Sequence, residues 1–80
     1  MDSSTIEQMI RTGLPDAQVD VSGSDGVHFE ALVVSPSFVG LPTLRRHRLV
    51  YATLGSLMGQ EIHALGLRTL TPAEQGGEAP

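Results

Sequence analysis

The sequence predicts a small α/β domain, a two-layer sandwich of the order α-β-β-α-β with a three-stranded sheet and its helices on one face. Two observations predict it: helical and strand-like hydrophobic patterns alternate along the chain, and turns rich in Gly, Pro and Ser separate them. The 80 residues suffice for one modest core. We expect one domain over residues 1–74 and a disordered tail over residues 75–80, which hold two glycines and no large apolar side chain.

The first half of the chain predicts one helix and two strands. Ser4-Thr5-Ile6-Glu7 has the spacing of a capping box, and the helix that follows should end at Gly13. Alternating apolar and polar residues over 17–22 predict a half-buried strand. Residues 27–34 predict a second strand, apolar on both faces at its far end, and the turn-rich segment between the two predicts a hairpin.

The second half predicts a longer helix and a third strand. Pro42 fits a helix start, and the helix should run over residues 43–58, with Gly59 ending it. Its spacing assigns one side to apolar and half-buried positions, namely Leu44, His47, Val50, Tyr51, Leu54, Leu57 and Met58. Arg45 and Arg48 fall on the other side. Residues 62–70 predict a third strand that neighbours cover on both faces, and Thr71-Pro72 should stop it.

Composition excludes several classes of protein. The chain has no cysteine, so it supplies no disulfide, thiolate zinc site or redox thiol of its own. No apolar run approaches the ~20 residues of a membrane span and no signal peptide is visible, so we expect a soluble, cytoplasmic protein. Nine acidic residues against five arginines give a net charge of -4. Neither a phosphate-binding loop nor a credible catalytic triad occurs, so the sequence predicts that the protein is not an enzyme.

Several short motifs, in this order and spacing, make the chain resemble the BolA family, and within it the IbaG (YrbA) branch. They are Gly26-Val27-His28-Phe29, Phe38-x-Gly40, Arg46-His47-Arg48 with Val50-Tyr51, Ile62-His63-Ala64-Leu65, and Thr71-Pro72-x-Glu74. The resemblance covers residues 6–74 and implies a class II KH-like fold. It further implies an adaptor that binds a monothiol glutaredoxin and shares a 2Fe-2S cluster with it and its glutathione. Alone, the protein should carry no cofactor and be a monomer or a weak homodimer.

The sequence departs from the family pattern at two positions. Pro42 stands where the family often has Ser, so the second helix should lose a side-chain cap. Asp25 stands where some branches carry Cys, which excludes a thiolate ligand at that point.

The resemblance implies that His63 is a cluster ligand, since a neutral imidazole binds iron and raises the cluster potential relative to thiolate. The residues alone leave a half-buried histidine that hydrogen-bonds to a backbone carbonyl as the alternative. Asp25 and His28 compete for a second ligand position, and the sequence does not rank them. His47 lies within the apolar stripe, where a structural role, bonded to backbone or Tyr51, is expected; a metal role would require it to face His63.

Gly40 and the segment from Arg45 to Arg48 predict a surface for partner proteins or nucleic acid. Arginine forks match phosphate groups or the carboxylates of glutathione, whereas a solvated helix face is the alternative. A DNA-binding transcriptional regulator is therefore the second hypothesis. With three arginines in the segment, binding to DNA should be weak and steeply dependent on salt. An interaction module without a cluster is the third hypothesis.

Overall fold

The structure is a computed structural model that describes residues 1–23, 25–60, 62 and 64–76. Its main elements are helix α1 (Ser3–Gly13), strands β1 (Gln18–Ser22) and β2 (His28–Val34), helix α2 (Thr43–Leu54), strand β3 (Ala64–Leu70) and a short helix α3 (Pro72–Gln75). Short 3-10 turns cover Pro36–Phe38 and Gly55–Leu57. The predicted α-β-β-α-β order is confirmed, with α3 as an unpredicted addition.

The three strands form one sheet in the order β1-β2-β3. β1 pairs antiparallel to β2, with Val19 opposite Val33, which confirms the predicted hairpin. β2 pairs parallel to β3, with Phe29 opposite Leu65, and α2 supplies the crossover between them. β2 is therefore the central strand and β3 lies at an edge. The prediction that both faces of β3 are covered is wrong, because Ala64 and Arg68 are exposed.

α1 and α2 pack on one face of this sheet and form a single core with it. The buried side chains are Ile6 and Ile10 of α1, Val50 and Leu54 of α2, Phe38, Ile62, and the inward residues of the strands. α1 begins one residue before the predicted capping box, because the Asp2 carboxylate accepts the backbone N–H of Thr5 at 2.9 Å. Glu7 pairs with Arg11 at 3.2 Å. The predicted Ser4 cap is therefore wrong.

The buried stripe of α2 is centred on Val50 and Leu54. At about 100° per residue, Leu44 lies roughly 100° away from that stripe, so the prediction that Leu44 faces the core is wrong and its side chain is 61% exposed. The helix also ends at Leu54 and not at Met58, because Gly55 adopts a positive φ of 55°. Its N-cap, Pro42, makes no side-chain bond, as predicted.

Beyond β3, Thr71 and Glu74 form a capping box that begins α3. Gln75 belongs to this helix and Gly76 caps it, so the predicted tail begins inside an element; residues 77–80 lie outside the described part of the chain. No helix among the described residues is both long and apolar enough to cross a membrane.

Candidate functional site

Asp25 and His28, the two candidates for a second ligand position, are in direct contact at the end of the β1–β2 hairpin. Oδ1 of Asp25 accepts the backbone N–H groups of Val27 at 3.0 Å and His28 at 2.8 Å. Oδ2 lies 2.6 Å from Nδ1 of the His28 ring. Gly26, between them, has a φ of 80°, which lets the chain turn back within so few residues. The carboxylate therefore organises both the turn and the imidazole.

These bonds hold the pKa of Asp25 well below its usual value. The backbone N–H of His28 contributes most, followed by the His28 ring and the N–H of Val27. Asp25 is thus ionised at neutral pH, and its carboxylate can accept a proton from Nδ1 of His28. In the tautomer that carries its proton on Nδ1, the lone pair of the ring lies on Nε2. The His28 side chain is 68% exposed. A carboxylate that binds one ring nitrogen in this way is the usual orienting partner of a metal-binding histidine.

A shallow cavity of about 340 Å³ adjoins this pair. Its walls come from the hairpin and from the start of β3, namely Ser22, Gly23, Asp25, His28, Phe29, Glu30, Ala64 and Gly66. The Glu30 carboxylate crosses β3 at Gly66, where a side chain would collide with it. His28 pairs with Ala64 across the sheet, so the hairpin end and the start of β3 are neighbours.

Within the described residues, no three His, Asp or Glu side chains come together as a metal site. His63, the principal predicted ligand, lies outside the described residues. The described His, Asp and Glu side chains therefore fit an iron centre only where another molecule supplies further ligands. A single open imidazole on an exposed hairpin has the right chemistry for such a shared centre.

His47 and Tyr51 pack against each other on α2, with ring centroids 6.4 Å apart and planes at 85°. The hydroxyl of Tyr51 donates to the carbonyl of Leu65 at 3.0 Å, which ties α2 to the start of β3. His47 thus takes part in packing between aromatic rings, whereas a hydrogen bond to backbone or to Tyr51 was the expectation.

The three arginines of α2 differ in their surroundings. Arg45 and Arg48 are exposed. The Arg46 side chain is only 12% exposed: Nε donates to the Leu41 carbonyl at 2.8 Å and Nη1 to the Thr69 carbonyl at 3.2 Å. Its fork also binds Glu74, at 2.7 and 3.3 Å, and its guanidinium lies 5.9 Å from the centre of the Phe38 ring. Arg46 therefore joins α2 to β3, α3 and the turn before α2.

Gly40 and the pair formed by Asp25 and His28 lie at opposite ends of β2. Gly40, with a φ of 80°, follows the C-terminal end of β2, whereas Asp25 and His28 lie at its N-terminal end. A strand of seven residues separates them by roughly 20 Å.

Sequence reasoning missed two features of this arrangement. Val39, Leu44 and Leu49 are large apolar side chains that are exposed near the N-terminus of α2. The bond between Arg46 and Glu74 joins residues 28 positions apart, and no local pattern reports such a pair. The Thr-x-x-Glu spacing at Thr71 could have revealed α3 as a second capping box.

The three-stranded sheet and its helices form a class II KH-like α+β domain, a fold that several known proteins share. Residues 10–74 match the family described as BolA-like protein. A BolA protein homologue from Coxiella burnetii superposes with a TM-score of 0.86 at 49% identity, over 95% of this chain and 97% of that one. The chain belongs to the BolA family.

Three relatives differ in how much of their length is matched. The acid stress protein IbaG of Escherichia coli is 32% identical over 75 residues, which are 92% of this chain and 88% of IbaG. Human BolA-like protein 1 is 49% identical over 47 residues, 59% of this chain but only 34% of that protein. The E. coli DNA-binding transcriptional regulator BolA is 41% identical over 56 residues, 70% of this chain and 52% of the regulator. The chain thus spans about a third of the human relative, and most of IbaG.

Proposed function

We propose that this chain is a cytoplasmic, non-enzymatic adaptor that binds a monothiol glutaredoxin and shares a 2Fe-2S cluster with it, in iron-sulfur cluster assembly, trafficking or iron sensing. In this proposal the chain contributes His63 and His28, and the glutaredoxin contributes a cysteine and its bound glutathione. Membership of the BolA family supports the proposal, and the pairing of Asp25 with His28 is the observation that carries it.

The geometry favours His28 over Asp25 as the second ligand. Asp25 already accepts three hydrogen bonds, two from the backbone and one from the ring, and binding iron through it would disrupt the turn that they stabilise. His28 keeps Nε2 for a metal, and imidazole is a more usual ligand of iron than carboxylate. Asp25 is therefore a positioning residue that fixes the tautomer and the direction of the ring. When bound, the cluster would supply redox or iron-sensing chemistry to the complex.

Visible absorption of the mixed complex tests the proposal. The chain is mixed with a monothiol glutaredoxin, glutathione, iron and sulfide, and the spectrum is compared with that of the glutaredoxin alone. A new spectrum is expected, and His28→Ala and His63→Ala should each alter it. Asp25→Asn keeps a side-chain oxygen that can accept the backbone N–H groups of Val27 and His28, but it no longer fixes the tautomer and direction of the His28 ring. This substitution should therefore weaken cluster retention by about 10- to 100-fold.

Asp20→Asn serves as the control, because it makes the same chemical change on the exposed side of β1. If the parent spectrum does not differ from that of the glutaredoxin, the cluster-sharing function is wrong. If Asp25→Asn alters the spectrum while His28→Ala leaves it unchanged, Asp25 is the ligand and the assignment of His28 is wrong.

DNA binding is the second candidate function, favoured by the E. coli regulator BolA, which is named as a DNA-binding protein. Of the α2 arginines, only Arg45 and Arg48 are exposed, and few cations mean few phosphate contacts. A titration with duplex DNA at two salt concentrations tests it. No binding at the lower concentration would eliminate this candidate.

A further inference from the structure

Apolar side chains are unusually exposed around the start of α2. Val39 is 69%, Leu44 61% and Leu49 39% exposed. Elsewhere among the described residues, only Met1 and Val27 are large apolar side chains with comparable exposure. Scattered exposed side chains are ordinary, whereas several on one short segment indicate an interaction surface.

Two arginines lie among these apolar side chains. The side chains of Arg45 and Arg48 make no hydrogen bond or ion pair with the described residues. Along α2, the positions 44, 45, 48 and 52 follow helical spacing and share one side of the helix. Leu41, Arg45, Arg48 and Leu49 also line an open cleft of about 390 Å³. We call Val39, Leu44, Arg45, Arg48 and Leu49 the α2 outer surface.

A second cleft continues this surface toward the end of α2. It has a volume of about 500 Å³ and is lined by Arg48, Tyr51, Ala52, Gly55 and Met58. Arg48 lines both clefts and therefore lies between them. Together they follow the outer side of a 12-residue helix, which is about 18 Å long. A groove of this length suits one short segment of polypeptide.

We propose that the α2 outer surface docks a polypeptide segment that combines carboxylates with apolar side chains, in the manner of an acidic amphipathic helix. The carboxylates would pair with Arg45 and Arg48, and the apolar residues would cover Leu44, Leu49 and Val39. Arginine beside apolar anchors is a composition enriched at the centres of protein interfaces. The start of this surface, at Val39 and Leu44, follows the C-terminal end of β2, whereas His28 lies at the N-terminal end of that strand.

The same observations disfavour nucleic acid and membranes as the occupant. Apolar side chains gain nothing against phosphates, and the two exposed cations of this surface, on a chain of net charge -4, provide little attraction to DNA or anionic lipid. An acidic polypeptide, in contrast, uses both kinds of side chain at once. It also forms the charge-assisted bonds to which the arginine fork is suited.

The test uses a synthetic peptide of about 15 residues with leucines at helical spacing and glutamates elsewhere, and a matched peptide with lysine in place of glutamate. Binding is followed by NMR through the methyl groups of the chain. The acidic peptide should shift the methyls of Val39, Leu44 and Leu49. Arg48→Glu and Leu44→Ser should each weaken its binding by about tenfold or more.

Two variants elsewhere on the surface are the controls. Arg68→Glu reverses a charge on exposed β3, and Val27→Ser removes an exposed apolar side chain from the hairpin; each should alter affinity by less than about twofold. All four positions are exposed, so circular dichroism should report an unchanged fold.

Four results would overturn the proposal. One is equal binding of the lysine peptide, and another is a loss with Arg68→Glu as large as with Arg48→Glu. Binding of a DNA duplex or phosphatidylserine vesicles, but not of the acidic peptide, would assign the surface to another class of partner. Dimerisation that Leu44→Ser abolishes would assign it to a second copy of the chain.

Discussion

Arg46 illustrates how one side chain can carry two opposite interpretations. In the sequence it belongs to a basic segment, and that segment indicates a surface for anions. In the structure its guanidinium bonds to the Leu41 and Thr69 carbonyls and to the Glu74 carboxylate, so most of its hydrogen-bonding capacity is used within the molecule. Because Phe38 lies beneath it, the side chain also contributes packing. These contacts indicate that Arg46 stabilises the fold.

Arg46→Ala should lower the free energy of unfolding by about 2 kcal/mol, because two carbonyl groups lose a charged donor. Arg45→Ala, on the exposed side of the same helix, should alter it by no more than about 0.5 kcal/mol. Urea denaturation followed by circular dichroism measures both. Equal effects of the two substitutions would show that the contacts of Arg46 contribute nothing to stability.

At the scale of the element, α3 depends on the bonds that the Glu74 carboxylate accepts from Thr71 and Arg46. The carboxylate completes the capping box with Thr71 and binds Arg46, and these bonds lower its pKa from 4.5 to about 2, with the Arg46 bond contributing most. A carboxyl group whose pKa is lower in the folded state stabilises the fold above its unfolded value. That contribution is lost as the pH falls through the folded value.

Glu74→Gln should therefore be less stable than the parent at neutral pH, and the difference should shrink as the pH falls from about 4.5 to about 2. Denaturation of both proteins at several pH values across this window measures it. Because the parent and the variant share all other carboxyl groups, including Asp25, the effects of those groups cancel in the difference between the two stabilities. A difference that stays constant with pH would exclude ionised Glu74 as the source of the stabilisation.

At the scale of the whole molecule, the order of elements could be predicted because it depends on local patterns. Val19 and Val21 alternate with polar residues, and Val50 and Leu54 lie one helical turn apart, so each element reports its own buried face. The exposure of Leu44 and the inward turn of Arg46 could not be predicted in this way. Both depend on which side of α2 meets β3 and α3. The partners of Arg46 in those two elements, Thr69 and Glu74, come 23 and 28 residues later in the chain.

The candidate site could be predicted in part for the same reason. Asp25 and His28 were both identified from the sequence, but their contact depends on the backbone of the turn at Gly26. Because the hairpin precedes β2 and the turn at Gly40 follows it, the two lie at opposite ends of that strand.

This separation predicts that the two proposed surfaces act independently. Arg48→Glu should leave the spectrum of the complex with glutaredoxin unchanged, and His28→Ala should leave binding of the acidic peptide unchanged. In the double variant, the two effects should add to within about 0.5 kcal/mol, because the clefts beside Arg48 and the cavity beside His28 have no lining residue in common. A double-variant cycle with both measurements tests this, and a larger coupling would indicate that the surfaces communicate.

The central position of β2 has a consequence for how the molecule opens. Its amide protons are held by neighbours on both sides, and Ala31 and Val33 also lie in the core. β1 and β3 each have one unpaired edge, from which local fraying can begin without disturbing the rest. In deuterium exchange, the protons of β2 should therefore be the slowest to be replaced, at a rate set by unfolding of the entire domain.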